Sequence, residues 1–192
     1  NRIMRGTSHE ELSLLVMQHL NQELNGRFDE AMAIFNGSHP KKFLTKLISS
    51  QLDVDRIDYL KRDSFFTGVA EGSINAERLL DMMEIVGNDL AIGSKGVYSV
   101  ESFIAARRIM YWQVYMHKAV LSAEYMLMKI IKRARLLIQQ RELPASPALA
   151  YFLKHQDDFA TADEKAAALD WFCQLDDYDV MSAVKMWCYD KD

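Results

Sequence analysis

The chain has 192 residues, 49% of them hydrophobic and 26% charged, which is enough for a sizeable core in one domain, with or without a small appendage. Its net charge of −4 gives no global signal for nucleic-acid binding, and charged residues interrupt every long apolar stretch, which argues against a membrane span. Cys173 and Cys188 fit no zinc spacing, so we expect reduced packing cysteines in a cytoplasmic protein.

The first predicted helix covers residues 8–24. Ser8 and Glu11 form a capping-box pattern, and apolar residues then recur at helical spacing. His9 lies in the first turn beside two glutamates. It is either a surface residue or a group that exchanges a proton near neutral pH. A second, short helix is predicted from residue 29 to residue 35, where Asn-Gly ends it.

Residues 49–68 carry the densest polar chemistry of the chain. One face of the predicted helix is polar and contains Asp55, Tyr59, Arg62 and Asp63. The opposite face is apolar and contains Val54, Ile57 and Leu60. From these residues alone, the polar face is either a solvated surface with ion pairs or a site that offers a carboxylate, a phenol and a guanidinium to a ligand.

The order of these residues resembles the last metal-ligand segment of HD-domain phosphohydrolases, especially the branch that contains deoxynucleoside triphosphate triphosphohydrolases. The matching pattern, Asp-x-Asp-Arg-x-Asp-Tyr-x-x-Arg-Asp-Ser-x-x-x-Gly, begins at Asp53. In that family a His, a His-Asp pair and a later Asp hold a divalent metal such as Mg, Mn or Fe, and Asp55 matches the later Asp. The resemblance implies that the following positions face the substrate's phosphates and sugar: Arg56, Tyr59 and Asp63.

The same resemblance gives His9 a role. In the family a His-Glu pair at the start of an upstream helix lies near the phosphate chain, and its histidine acts as an acid. His9 and Glu10 resemble that pair. The implied catalytic residues are therefore His9 and Asp55, and the implied metal ligand is Asp55.

Residues 88–100 contain the one predicted β element, a hairpin of Leu90–Ile92 and Val97–Val100 around Gly93–Gly96. All other periodic segments are helical. The predicted fold class is therefore all-α, an HD-domain-like helical bundle with one small β-hairpin. Residues 101–142 contain no Gly or Pro and predict a nearly continuous helix with a bend that the sequence does not locate.

That long helix carries the second group of candidate site residues. One face contains Arg107, Tyr111, Tyr115 and Lys118, and the other contains Ile109, Trp112, Met116 and Val120. Two cations and two phenols on one face either stack a base and pair phosphates or form a half-buried, snorkelling surface. The segment from Tyr115 to Lys118 resembles a Tyr-x-His-Lys segment of the triphosphohydrolases, which implies further substrate-binding residues: Arg107, Tyr115, His117 and Lys118.

Beyond this helix the sequence is less informative. The basic run Lys129, Lys132, Arg133 and Arg135 is interpreted as a solvated face. A Pro-rich interruption predicts a boundary, with residues 1–143 as the C-terminal portion of an HD-type domain and residues 144–192 as a helical appendage.

The chain has no His-Asp dipeptide, and none of its five histidines stands at a metal position of the family. We expect those ligands upstream of Asn1, which makes this chain an inactive piece of a longer protein. The predicted function is a metal-dependent phosphohydrolase acting on nucleotides, notably deoxynucleoside triphosphates, in a homo-oligomer with no membrane partner. The alternatives are a non-catalytic nucleotide-binding regulatory module and a helical interaction domain. The sequence upstream of Asn1 would discriminate between them.

Overall fold

The computed structural model describes residues 7–155 and 161–191. Within them the chain forms ten α-helices and one two-stranded sheet, which confirms the all-α class with a single hairpin. The elements are α1 (His9–Glu23), α2 (Asp29–Phe35), α3 (Lys42–Ile48), α4 (Val54–Thr67), α5 (Ala76–Asp81), β1 (Met83–Val86), β2 (Asp89–Ile92), α6 (Val97–Met110), a π-helical turn (Tyr111–Tyr115), α7 (Lys118–Leu137), α8 (Pro147–Lys154), α9 (Ala162–Gln174) and α10 (Asp177–Trp187).

Two compact units make up the chain, and we name them by their places in the sequence. The terminal unit consists of Asn1–Phe28 and Glu124–Asp192, and the central unit of Asp29–Ala123. In the described part of the chain no helix is long and apolar enough to cross a membrane. The boundary between residues 143 and 144 stays a prediction.

The core of the central unit forms where α4 packs against α6. Ile57 and Leu60 of α4 meet Phe103, Ala106 and Met110 of α6, and all five are buried. The spacing of the buried residues on α6 is three and four, as expected for one face of a helix. A short 3₁₀ turn crosses this face at Gly72.

Gly72 is fixed by the packing at that crossing. A Cβ atom at this position would lie 2.3 Å from Sδ of Met110, which is itself fully buried. No side chain fits there unless the core moves, and the close approach keeps the turn in contact with α6. The packing thereby sets the position of α4 relative to α6.

The hairpin pairs different strands from the predicted ones. Its strands are β1 and β2, joined by the two-residue turn Gly87-Asn88, and Val86 pairs with Asp89. Gly87 has φ +65°, the conformation that a glycine supplies at the first position of a tight type II′ hairpin turn. Residues 97–100, predicted as the second strand, instead begin α6.

The predicted long helix is interrupted. The π-helical turn follows α6 directly, with the amide of Met116 donating to the carbonyl of Tyr111 at 2.8 Å, and α7 then begins at Lys118. On the apolar face that runs through the turn, Trp112 and Met116 are 63% and 58% exposed. The face towards α4 carries the other apolar stripe of α6, which ends at Met110.

The terminal unit has its own core. Ala134 of α7, Leu149 and Leu153 of α8, and Ala183 of α10 are buried together. Ser146 is the N-cap of α8, because its hydroxyl accepts from the amide of Leu149, with proline in the first turn. Cys173 and Cys188 are free and exposed, so the expectation that they pack in the interior was wrong.

Candidate functional site

The site begins at the first turn of α4, where Asp53 is the N-cap. Its Oδ1 accepts from the amide of Arg56 at 2.8 Å, and its Oδ2 accepts from the amide of Ser50 at 3.1 Å. The carboxylate is 3% exposed and also forms an ion pair with the Arg56 guanidinium. The buried Asp53 carboxylate therefore stabilises the start of α4 as its N-cap.

Arg56 is turned towards that cap. Its guanidinium donates to Asp53 and to the carbonyl oxygen of Ser50, which directs the cation along the start of α4. A phosphate would have to compete with a buried carboxylate for this group. The role of Arg56 in substrate binding stays a prediction.

Asp55 has a different environment, two residues further on. It lies in the first turn of α4 and is exposed, so its carboxylate is available to a ligand. The favourable position of an acid near a helix N-terminus accounts for its local stability. Within the central unit the Asp55 carboxylate forms no hydrogen bond or ion pair. Its assignment as a metal ligand stays a prediction.

A hydrogen bond joins α4 to the π-helical turn. The hydroxyl of Tyr115 donates to Oδ2 of Asp63 at 2.6 Å, and both side chains are half-buried. The ring of Tyr59 meets the ring of Tyr115 edge-on, with centroids 6.2 Å apart. Three residues that the resemblance assigns to substrate binding therefore lie together, although they come from positions 59, 63 and 115.

Tyr111 and Arg107 extend this cluster. The Tyr111 ring lies edge-on to Tyr115 at 5.3 Å, and the Arg107 guanidinium lies 5.7 Å from the centroid of the Tyr111 ring. We call Tyr59, Asp63, Arg107, Tyr111 and Tyr115 the tyrosine cluster. Tyr111 shares the predicted face but was not assigned to the site, and the signal that identifies it is the four-residue spacing to both neighbours.

The phenols of Tyr115 and Tyr59 hold their protons. Burial, followed by the hydrogen bond to Asp63, raises the pKa of Tyr115 well above its usual range. Burial also raises the pKa of Tyr59, and Tyr111 adds to the shift. Both groups therefore remain neutral at physiological pH, as hydrogen-bond donors with apolar rings.

His117 and Lys118 begin α7. Nδ1 of His117 accepts from the amide of Ala119 at 3.2 Å, so the imidazole caps the helix and carries its proton on Nε2 when neutral. Lys118 is exposed in the first turn. The cap gives His117 a local structural role, and substrate binding by these two residues stays a prediction.

His9 belongs to the terminal unit. Its side chain is 80% exposed, and its Nε2 lies 2.9 Å from Oε1 of Glu10. The backbone amide of Glu10, then the hydroxyl of Ser8, lower the pKa of the Glu10 carboxyl, so the glutamate beside His9 is ionised. The capping box of Ser8 and Glu11 is confirmed. The catalytic role of His9 stays a prediction.

Among residues 7–155 and 161–191, no three His, Cys, Asp or Glu side chains converge as a metal site. A divalent cation needs several oxygen or nitrogen ligands to displace its water. Asp55 with the other described residues therefore does not fit a complete metal centre. It fits only as one ligand among several.

Comparison with known proteins gives the chain its relatives. Residues 74–161 match the family model described as "HD associated region". The uncharacterized protein YwfO of Bacillus subtilis is 44% identical over 100 residues, which cover 52% of this chain and 23% of that protein. A deoxynucleoside triphosphate triphosphohydrolase SAMHD1 homolog of Dictyostelium discoideum is 28% identical over 101 residues, covering 50% and 20%.

A solved structure is similar over nearly the whole chain. The crystal structure of a phosphohydrolase from Bacteroides thetaiotaomicron superimposes with a TM-score of 0.94 at 46% identity, covering 99% of this chain and 47% of that one. The chain thus spans less than half the length of that protein and about a quarter of the two curated relatives. These likenesses support the HD family.

Proposed function

From this relationship to HD-domain phosphohydrolases, we propose that the chain forms the substrate-binding part of a phosphohydrolase that acts on nucleotides, with deoxynucleoside triphosphates as the preferred class. The observation that carries the proposal is the tyrosine cluster, in which Asp63 and Tyr115 are joined at 2.6 Å beside Tyr59 and Tyr111. The SAMHD1 homolog, whose name states such an activity, supports the choice of substrate.

The chemistry of the cluster suits a nucleoside. The aromatic rings offer faces and edges for a base or a sugar ring, and stacking of this kind contributes about 1–3 kcal/mol per base in single-strand binding proteins. Asp63 uses one oxygen for Tyr115, and its second oxygen can accept from a sugar hydroxyl. The rings and Asp63 are therefore suited to the uncharged base and sugar of a nucleotide.

Arg107 supplies positive charge next to those rings. It is half-buried, its guanidinium lies beside the Tyr111 ring, and no carboxylate neutralises it among the described residues. A guanidinium in that state pairs well with phosphate oxygens, since it forms two parallel hydrogen bonds. We assign Arg107 to the phosphate chain, with Lys118 as a further cation.

Asp55 is proposed as one ligand of a divalent metal whose remaining ligands lie outside this chain. When bound, such a metal supplies an activated water and balances the charge on phosphorus. This chain contributes the exposed carboxylate, and its other residues bind and orient the nucleotide.

The experiment compares two measurements. The first is nucleotide binding by this chain, titrated with a non-hydrolysable deoxynucleoside triphosphate for the wild type, Arg107→Ala and Asp63→Ala. Both variants should bind about 5–30-fold more weakly, as expected for the loss of one charge-assisted contact. The matched control Arg108→Ala removes a neighbouring guanidinium that lies over Trp112, and it should bind normally.

The second measurement is turnover by a longer polypeptide that adds the His and His-Asp ligands upstream. Release of phosphate and triphosphate is followed over a nucleotide panel with and without chelator. Activity should require the metal and disappear in Asp55→Ala. Turnover by the short chain alone, or full activity of Asp55→Ala, would contradict the proposal.

A nucleotide-binding module without hydrolysis is the second candidate. The observation in its favour is that the tyrosine cluster is assembled by contacts within the central unit, which need no metal. Nucleotide binding by the short chain with no turnover in the longer polypeptide would select it.

A further inference from the structure

We propose that two copies of this protein pair through the exposed side of α6, with the two helices antiparallel about a two-fold axis. The surface consists of five residues of α6 and the start of the π-helical turn, which we call the outer stripe: Val97, Glu101, Ile104, Arg108 and Trp112. At helical spacing these residues share one side of the helix. The proposal concerns the central unit alone and does not depend on the proposed function.

The outer stripe is apolar where a solvated helix would be polar. It lies on the side of α6 opposite the residues that pack against α4. Yet its side chains include Val97, Ile104 and Trp112, which are 50%, 60% and 63% exposed. The exposed face of an amphipathic helix normally carries polar residues. Apolar surface of this extent is stabilised when a second surface removes it from water.

The two charges of the stripe restrict what can cover it. Glu101 and Arg108 are exposed, and neither forms an ion pair with any residue that the structure describes. The Arg108 guanidinium lies over the Trp112 ring, 4.4 Å from its centroid. An apolar segment laid over the stripe would bury both charges without partners, which is unfavourable. A matching surface must therefore offer a cation to Glu101 and an anion to Arg108.

A second copy offers both groups in the required order. When the two-fold axis passes beside Ile104, midway between positions 101 and 108, Glu101 of each copy lies level with Arg108 of the other. Positions 97 and 112 have the same midpoint, so Val97 lies level with Trp112, and Ile104 meets Ile104. Each charge then gains a partner twice over. A partner of different sequence would not require a stripe that reads the same from both ends.

The size of the stripe sets the expected affinity. From Val97 to Trp112 it covers about four helical turns, or roughly 22 Å. A pair of helices of that length is at the small end of specific interfaces, so we expect a dissociation constant on the order of 10 μM. Sedimentation velocity over a range of about 1–200 μM protein covers this value.

The test exchanges the two charges. Glu101→Arg places arginine against arginine in a symmetric dimer, and Arg108→Glu places glutamate against glutamate. Each single variant should dimerise at least about 100-fold more weakly than the wild type, because like charges then face each other at two places. The double variant carrying both substitutions restores two opposite-charge pairs and should dimerise again.

Mixing the two single variants is the sharper measurement. In the mixed dimer, both arginines of the Glu101→Arg chain face glutamates of the Arg108→Glu chain, so a heterodimer should form although neither variant pairs with itself. Glu77→Arg, at an exposed acid of α5 outside the stripe, is the matched control and should leave the dimer unchanged. Circular dichroism verifies that every variant folds.

The same series is measured on this chain and on the longer polypeptide, and three results would overturn the proposal. The first is a wild type that stays monomeric at 200 μM, about twenty times the expected dissociation constant. The second is a dimer that tolerates both single variants, or single variants that stay monomeric when mixed, because the contact would then use another surface or register. The third is loss of the charge-dependent dimer in the longer polypeptide, because the protein's own chain would then cover the stripe.

Discussion

Replacing Tyr115 by phenylalanine removes the hydroxyl that donates to Asp63 but keeps the ring between Tyr59 and Tyr111. A hydrogen bond to a charged group contributes about 1.5–3 kcal/mol to stability. Both side chains are half-buried, so the carboxylate freed by the substitution can turn towards water. We therefore expect the free energy of unfolding to fall by about 1–2 kcal/mol, around and just below the lower end of that range.

Urea unfolding followed by circular dichroism measures this loss. With a typical slope, the midpoint should fall by about 0.5–1 M urea for Tyr115→Phe and similarly for Asp63→Asn. The double variant should lose about 1 kcal/mol less than the sum of the two, because both substitutions remove the same bond. Tyr98→Phe is the matched control, since Tyr98 is 83% exposed in the same unit. Losses that add to within about 0.3 kcal/mol would refute the reasoning.

The same bond predicts a dependence on alkaline pH. The pKa of Tyr115 is raised in the folded protein, whereas that of an unfolded tyrosine is about 10. The contribution of Tyr115 is therefore complete below about pH 10 and is lost as the pH rises through the folded pKa. The wild type should lose stability between about pH 9 and 11 faster than Tyr115→Phe. Identical slopes for both proteins would contradict the assignment.

Three further predictions concern the helix ends, the core and the metal. Asp53→Ala should lower the free energy of unfolding by about 2–3 kcal/mol. Asp53→Asn should lower it by less, because asparagine keeps the cap and loses only the ion pair. Thermal unfolding of both variants tests this order of stabilities. Gly72→Ala should lower the free energy of unfolding by about 2–3 kcal/mol through overpacking. Gly68→Ala should lower it by about 1 kcal/mol, because a Cβ at Gly68 meets nothing within 4 Å and only the positive φ opposes the change. Equal losses of stability in urea would contradict the packing argument. Chelator should leave the melting temperature of this chain unchanged, and a fall above about 2 °C would reveal a bound metal.

The sequence predicted the features that depend on near neighbours. The capping box at Ser8 is present because a side chain and an amide three residues apart suffice to make it. The face that joins Arg107 to Tyr111 and Tyr115 follows in the same way from helical spacing. The hairpin turn is the Gly-Asn pair at residues 87–88, whereas the prediction placed the turn at the Gly-rich run of residues 93–96.

Features that depend on distant neighbours could not be predicted. Apolar residues recur on more than one side of the segment from Phe103 to Trp112, and the sequence offers no rule for choosing the side that α4 covers. The guanidinium of Arg56 had several carboxylates within reach along the sequence, and the loop before α4 decides that it turns to Asp53. The bond between Asp63 and Tyr115 links residues 52 apart, which no periodicity indicates.

The π-helical turn makes the neighbourhood of Tyr115 sensitive to chain length rather than to side-chain identity. Its carbonyl-to-amide bond from Tyr111 to Met116 encloses one residue more than an α-helical turn. Deleting one residue, for example Val114, would shorten the turn and rotate the side chains that follow the deletion within it by about 100° about its axis. Tyr115 would then point away from Asp63 while the core stripe ending at Met110 stayed in place. Insertions and deletions in this turn, far more than substitutions, are therefore the changes by which homologous chains would gain or lose this arrangement.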